Sequence, residues 1–153
     1  MRTFYSLSIV AFLVLSLSAC KKDAKPKVPS SLIGEWYIRQ YTITTTTNNS
    51  TGSPFVYFHS DTATNVYYQF NGDGTGLEQL NFDPAFINVP ATGFSFHISG
   101  SNIVFSKNST VLQSPTCSFE MPTSATLVIR STYSSTDNFG NVISTLQELD
   151  LGK

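Results

Sequence analysis

After about residue 31, apolar residues alternate with polar ones in several short runs, and nowhere do they recur at intervals of three and four over a dozen residues. A period of two marks half-buried strands, because successive side chains on an extended chain point to opposite faces. Phe94, Phe96 and Ile98 alternate with Ser95 and His97 in this way, and Leu127 and Ile129 share a face with Tyr133. The region is also rich in Ser, Thr, Phe and Tyr and poor in Ala, Leu, Glu and Lys, a bias toward strand. An all-β domain follows.

The clearest local unit is a hairpin. Asn65 to Phe70 and Thr75 to Phe82 are strand-like runs joined by Asn71-Gly72-Asp73-Gly74, whose glycines supply positive φ. Before it come a first strand over residues 33–45, a polar loop from Thr44 to Pro54 and a short edge strand at Phe55 to Phe58. After it come strands over Thr92 to Ile98, Ile103 to Ser106, Thr110 to Met121 with a bend at Pro115, Ala125 to Tyr133, and Asn141 to Leu151. Ser134 to Gly140 is expected to be a loop. No stretch between the strands is long enough to be a crossover helix, so the topology is expected to be antiparallel and up-and-down. Such strands close into one barrel or split into a β-sandwich. The barrel of about eight strands is the expectation, since closure removes the edges that Thr-rich strands would otherwise present.

The first thirty residues have a different character. Residues 1–19 carry one positive charge, an apolar run from Leu7 to Leu17 and then small residues, the layout of a secretory signal peptide. The run is too short to span a bilayer, which takes about 18 or more apolar residues. Leu17-Ser18-Ala19-Cys20 resembles the lipobox of bacterial lipoproteins, which implies that Cys20 is acylated and becomes the first mature residue. Residues 20–30, with Lys21, Lys22, Lys25 and Lys27 among prolines and no apolar periodicity, read as a flexible tether. Lysine after Cys20 resembles sorting to the outer membrane, with the periplasmic face and the cell surface both open. Residues 31–153 are then the folded domain.

Charge narrows the partners. Beyond the tether, Arg39, Lys107, Arg130 and Lys153 stand against nine of the ten acids, leaving the domain about five charges negative. That argues against nucleic acid, whose binding is dominated by cationic contacts to phosphate. With Cys20 acylated, Cys117 has no partner for a disulfide or a cysteine-based zinc site.

Gly34-Glu35-Trp36, with the only tryptophan of the chain, resembles the Gly-x-Trp motif that opens the first strand in lipocalins and the wider calycin group. Tyr68-Gln69-Phe70-Asn71-Gly72-Asp73-Gly74-Thr75-Gly76 is similar to the second-hairpin signature of small lipocalin-like bacterial lipoproteins. The resemblance covers about Leu32 to Leu151. It implies that Gly34 lets the chain enter the barrel closely, that Trp36 plugs the closed end, and that a late arginine, Arg130, packs across the tryptophan. Thr136-Asp137-Asn138 departs from the family's Thr-Asp-Tyr motif at Asn138.

Other combinations of residues point to weaker chemistry. Asn71 to Gly76 places oxygens at alternate positions as a calcium loop does, but position twelve would be Phe82 and the flanks are strands, so a hairpin turn is the reading. His59-Ser60-Asp61 contains triad residue types, yet neighbours on an extended chain point to opposite sides. Cys117 shares a face with Phe119 and Met121 and reads as a small core residue. Asp61-Thr62-Ala63 is similar to a bacterial O-glycosylation acceptor. No nucleophile elbow, phosphate loop or zinc-protease motif is present, so neither an enzyme nor a cofactor is expected. Two readings remain. In one, Phe70, Phe94, Phe96, Phe105 and Phe119 line a cavity for a small apolar or amphipathic ligand. In the other, the barrel is filled and the outer surface or the loops 44–54 and 134–140 contact an envelope protein.

Overall fold

The computed structural model describes residues 27–60, 66–80, 90–106 and 112–153. The expected signal peptide, Cys20, most of the expected tether and Asp61-Thr62-Ala63 lie outside the described residues. The strands are β1 (Gly34–Thr47), β2 (Ser50–Thr51), β3 (Phe55–His59), β4 (Val66–Phe70), β5 (Thr75–Leu80), β6 (Thr92–Ser99), β7 (Asn102–Phe105), β8 (Thr116–Thr123), β9 (Thr126–Thr136) and β10 (Val142–Gly152). Each pairs antiparallel with the next from β4 to β10, and β1 bridges β4 and β10, closing an eight-stranded barrel. The sandwich is thereby excluded. β2 and β3 stand outside the ring, on the edge of β1 beyond its pairing with β4.

β1 is long because it serves several partners. One edge pairs with β10 from Tyr37 to Thr47, and the other meets β4 at Gly34 to Tyr37, β3 at Gln40 to Ile43 and β2 at Thr46 and Thr47. A register shift between Ile38 and Gln40 turns Tyr41 inward. Strict alternation places it on the outer face, which is a correction made by the bulge. The expected polar loop at 44–54 is also corrected. Asn48 and Asn49 both adopt positive φ, 48° and 69°, which makes a tight hairpin turn between β1 and β2. β9 likewise runs on to Thr136, into the expected loop. β8 begins only at Thr116, because Pro115 lacks an N–H for the ladder and lends its carbonyl to the Phe105 N–H instead (2.8 Å).

The ends of the barrel differ. At one end the turn of residues 29–32 crosses the opening, with Leu32 fully buried and its carbonyl accepting from Trp36 Nε1 (2.8 Å). Gly34 has φ +128°, a conformation that disfavours every other residue, and this admits the chain from the turn into β1. The cation over Trp36 is Lys153, not Arg130. Its Nζ lies 4.4 Å from the ring centroid and donates to the carbonyls of Ser31 (3.1 Å) and Ile33 (3.3 Å). Arg130 follows inward Ile129 on β9, so alternation turns it outward, where it pairs with Glu120 and Glu148.

Inside, Trp36, Tyr68, Phe70, Ile103, Leu127, Ile129 and Leu149 are completely buried. The Phe94 ring lies over Gly76, where an added Cβ would come within 2.4 Å of both that ring and the Gln69 carbonyl. Two stability outcomes follow. Trp36→Ala should lower the unfolding free energy by about 3 to 5 kcal/mol, and Gly76→Ala should cost about 1 to 3 kcal/mol through overpacking. Denaturant titration checks both; an unchanged midpoint for Gly76→Ala would mean that Phe94 does not occupy that space.

Candidate functional site

The residues expected to line a cavity are brought together, but against one another. Ring centroids lie 5.1 Å apart for Phe70 and Phe96, 5.7 Å for Phe70 and Phe94, and 5.3 Å for Phe94 and Phe105, with Tyr68 joining the group. Most of these pairs meet edge to face, the arrangement aromatic quadrupoles favour in a packed core. Phe119 is half-buried against the same core. Two clefts, of about 970 and 640 Å³, open at the surface and reach core side chains, Phe96 and Phe105 with Val28 in the first and Leu127 with Leu151 in the second. The first is bordered by Lys27, the Gly72 to Thr75 turn and outward Ser95, His97 and Ser106; the second by Arg39, Asp150 and the β8–β9 turn.

Toward the end away from Trp36 the interior becomes polar. Tyr41, Glu78, Ser131, Thr145 and Gln147 all point inward and are buried. Gln147 Nε2 donates to the Tyr41 hydroxyl (2.7 Å), and its Oε1 accepts from the Gln113 N–H (2.9 Å). Ser131 Oγ accepts from the Ser114 N–H (3.1 Å), and the Cys117 thiol donates to the Ser114 carbonyl (3.3 Å). The segment before β8 thus crosses over the interior and drops Leu112, fully buried, into the core. Burial pushes the Cys117 thiol up to about 11, so it stays protonated and unreactive at neutral pH. His97 is exposed on the outer face of β6 while Cys117 faces inward, and the two are not brought together.

Glu78 was the residue that sequence pattern missed. Leu77 looks like the core position of β5, yet it faces outward and Glu78, 5% exposed, faces in. The signal was the turn length: Asn71 to Gly74 sets Phe70 opposite Gly76, which places Tyr68 opposite Glu78 on the inner face.

The second concentration of unusual features is the rim formed by the β1–β2 and β9–β10 hairpins. Asp137 organises the latter turn: Oδ1 accepts from the N–H groups of Phe139 (2.8 Å) and Asn141 (2.9 Å), and Oδ2 accepts from Asn141 Nδ2 (2.8 Å). Asn48 ties the two hairpins together, donating through Nδ2 to Asn141 Oδ1 (2.7 Å) and accepting from the Val142 N–H (3.2 Å). On this bonded frame Phe139 is 90% exposed, with Val142 beside it. On the other edge of β1, Phe55 (64%), Val56 and Tyr57 are exposed in succession. An exposed aromatic held on an ordered turn differs from one on a slack loop: little entropy is left to lose on contact. Among the described residues no group of three His, Cys, Asp or Glu could hold a metal ion.

Compared with protein-family models, curated proteins and solved structures, the chain matches none.

The rim carries a pH dependence. The hydrogen bonds from Asn141, with those from Phe139 and Gly140, hold the Asp137 carboxyl below its ordinary value. A depressed folded value means the carboxylate supports the turn above the unfolded value of about 3.9 and loses that support as pH falls through the folded one. The amide resonances of Phe139 and Asn141 should therefore hold down to about pH 4 and shift only below it. A midpoint above that of an unfolded aspartate would refute the assignment.

Proposed function

We propose that this chain is a membrane-tethered lipoprotein of the bacterial envelope with a lipocalin-like barrel that acts by protein contact through its rim, without enzymatic activity and without a cofactor. The observation that supports the reading is the packing of the expected lining: Phe70, Phe94, Phe96 and Phe105 meet one another ring to ring, and Leu112 is buried in the same core. A barrel filled in this way is a stable pedestal. Its unexplained surface is the pair of stitched hairpins that carry Phe139 and Val142, with Phe55 and Tyr57 alongside. Exposed aromatics on a rigid frame are what interface hot spots consist of. The lipobox at Cys20 and the lysine after it support placement at the outer membrane.

A second reading keeps a small apolar or amphipathic ligand inside the barrel. It is favoured by the inward polar group of Tyr41, Ser131 and Gln147, which holds the Leu112 to Ser114 segment by backbone hydrogen bonds that a ligand head group could take over.

Both are accessible to experiment. In crosslinking from intact envelopes, Phe139→Ser should weaken recovery of a stoichiometric protein partner at least about tenfold, as loss of a hot-spot aromatic does. Its stability should change by less than about 0.5 kcal/mol. Equal recovery by both forms would end the rim reading. Titration of the purified protein with anilinonaphthalene sulfonate, followed through Trp36 fluorescence, should show no saturable uptake; stoichiometric uptake would move the assignment to the interior ligand.

A further inference from the structure

Charge is distributed unevenly along the barrel. From Tyr41 to Ser60, through the upper part of β1, β2 and β3, there is no Asp, Glu, Lys or Arg, and from Ser131 to Gln147, through the β9–β10 hairpin, Asp137 stands alone. Its carboxylate is taken up by its own turn, accepting from the N–H groups of Phe139 and Asn141 and from Asn141 Nδ2. Elsewhere Glu120, Arg130 and Glu148 pair on the outer wall, and Glu35, Asp73 and Lys153 belong to the tryptophan end. Among the described residues, then, the rim is a neutral surface on a domain that is about five charges negative. It carries two apolar patches, one on either side of β1. Phe139, 90% exposed, projects with Val142 from the hydrogen-bonded turn, and Phe55, Val56 and Tyr57 are exposed in succession along β3. The strip of β1 between them is threonine from Thr44 to Thr47.

We infer that the rim takes a second copy of this chain, paired about a twofold axis so that Phe139 of each copy lies on the Phe55 to Tyr57 patch of the other. The inference rests on the rim reading above and names its partner. Charge selects that partner. A neutral surface offers no compensation to a charge that it would strip of water, so the surface matching it must be neutral as well. A second rim meets that requirement. It is also the face through which two acidic copies repel each other least, because the described charges lie on the walls and at the far end, and repulsion between exposed charges fades over a Debye length. Two different patches on one surface suit a twofold contact, in which residue i meets j and j meets i: both patches are used in each copy and the assembly closes. The shapes agree, a projecting ring on one side of β1 and a run of exposed strand side chains on the other. Both are also held before contact, Phe139 by the Asp137 turn and Tyr57 by its edge contact with Tyr41, ring centroids 5.4 Å apart, so little freedom remains to be lost.

Sedimentation equilibrium tests this on the chain from residue 20 onward, with Cys20→Ser so that no acyl group drives association. With rising concentration its mass should move from monomer to dimer and stop there. A twofold dimer contains Phe139 twice, so if each lost ring weakens binding about tenfold, Phe139→Ser should raise the dissociation constant about 100-fold, and Phe55→Ser should act in the same direction. Both side chains are exposed, so both variants should unfold at the temperature of the parent chain. An equimolar mixture of the two variants should associate more tightly than either alone, because the mixed pair keeps one complete contact. Added salt should strengthen the dimer by screening the two acidic bodies, the reverse of a contact made by ion pairs. A monomer at every concentration would overturn the inference; if Phe139→Ser still lowered recovery of a partner from envelopes, the rim reading would stand with a different protein as occupant. A dimer indifferent to both substitutions would place self-association elsewhere and overturn it equally. A mixture no tighter than its components, or growth beyond the dimer, would overturn the twofold arrangement.

Discussion

Closure of the sheet between β1 and β10 is the constraint on which the rest depends. A sheet of eight strands cannot close with every strand in line; the register must slip steadily around the ring. Here the start of β1 pairs with β4 at Gly34, whereas β10 follows the other edge of β1 as far as Thr47. One strand must therefore be long enough to accept both neighbours at staggered heights, and the Thr-rich stretch from Thr42 to Thr47 provides that length. The same stagger leaves the upper part of one β1 edge beyond the reach of β4. β3 and β2 cover it, which puts exposed Phe55 to Tyr57 and the Asn48 turn near the rim.

The two ends are closed by different chemistry, and the difference sorts what each can do. At the tryptophan end, the indole N–H, the Leu32 carbonyl and the Lys153 ammonium meet in one place, so the first and last residues of the domain seal the same opening. Removing the indole would leave the buried Leu32 carbonyl without its donor, a larger loss than the bond itself, whereas the Ser31 and Ile33 carbonyls bonded by Lys153 are exposed to water. At the other end the seal is a chain segment held through backbone N–H groups by Gln147 and Ser131. Backbone donors are indifferent to side-chain identity, so only Leu112 among those residues is tied to the core by its own side chain.

Much of the fold was legible because alternation survives local accidents. Phe94, Phe96 and Ile98, or Leu127 and Ile129, take the inward face as the period of two requires, and the glycine-bearing hairpin is where its turn chemistry puts it. What was not legible depends on partners distant in sequence. The bulge after Ile38 that turns Tyr41 inward is set by β10, more than a hundred residues on. Arg130 was assigned to the tryptophan through family resemblance, but its side follows from Ile129 facing inward, and the terminal Lys153 has the reach that Arg130 lacks. The stitching of Asn48 to Asn141 joins two loops that look independent in sequence. Nothing short of closure brings them together.

Filling the interior changes what selection can act on. A ligand-carrying barrel must keep a cavity and a path into it, both of which cost packing. With Phe94 resting on Gly76 and Leu112 lowered between polar walls, those costs are avoided and the strands can carry exposed apolar residues at the rim without losing the fold. The price of that freedom is aggregation through the same residues.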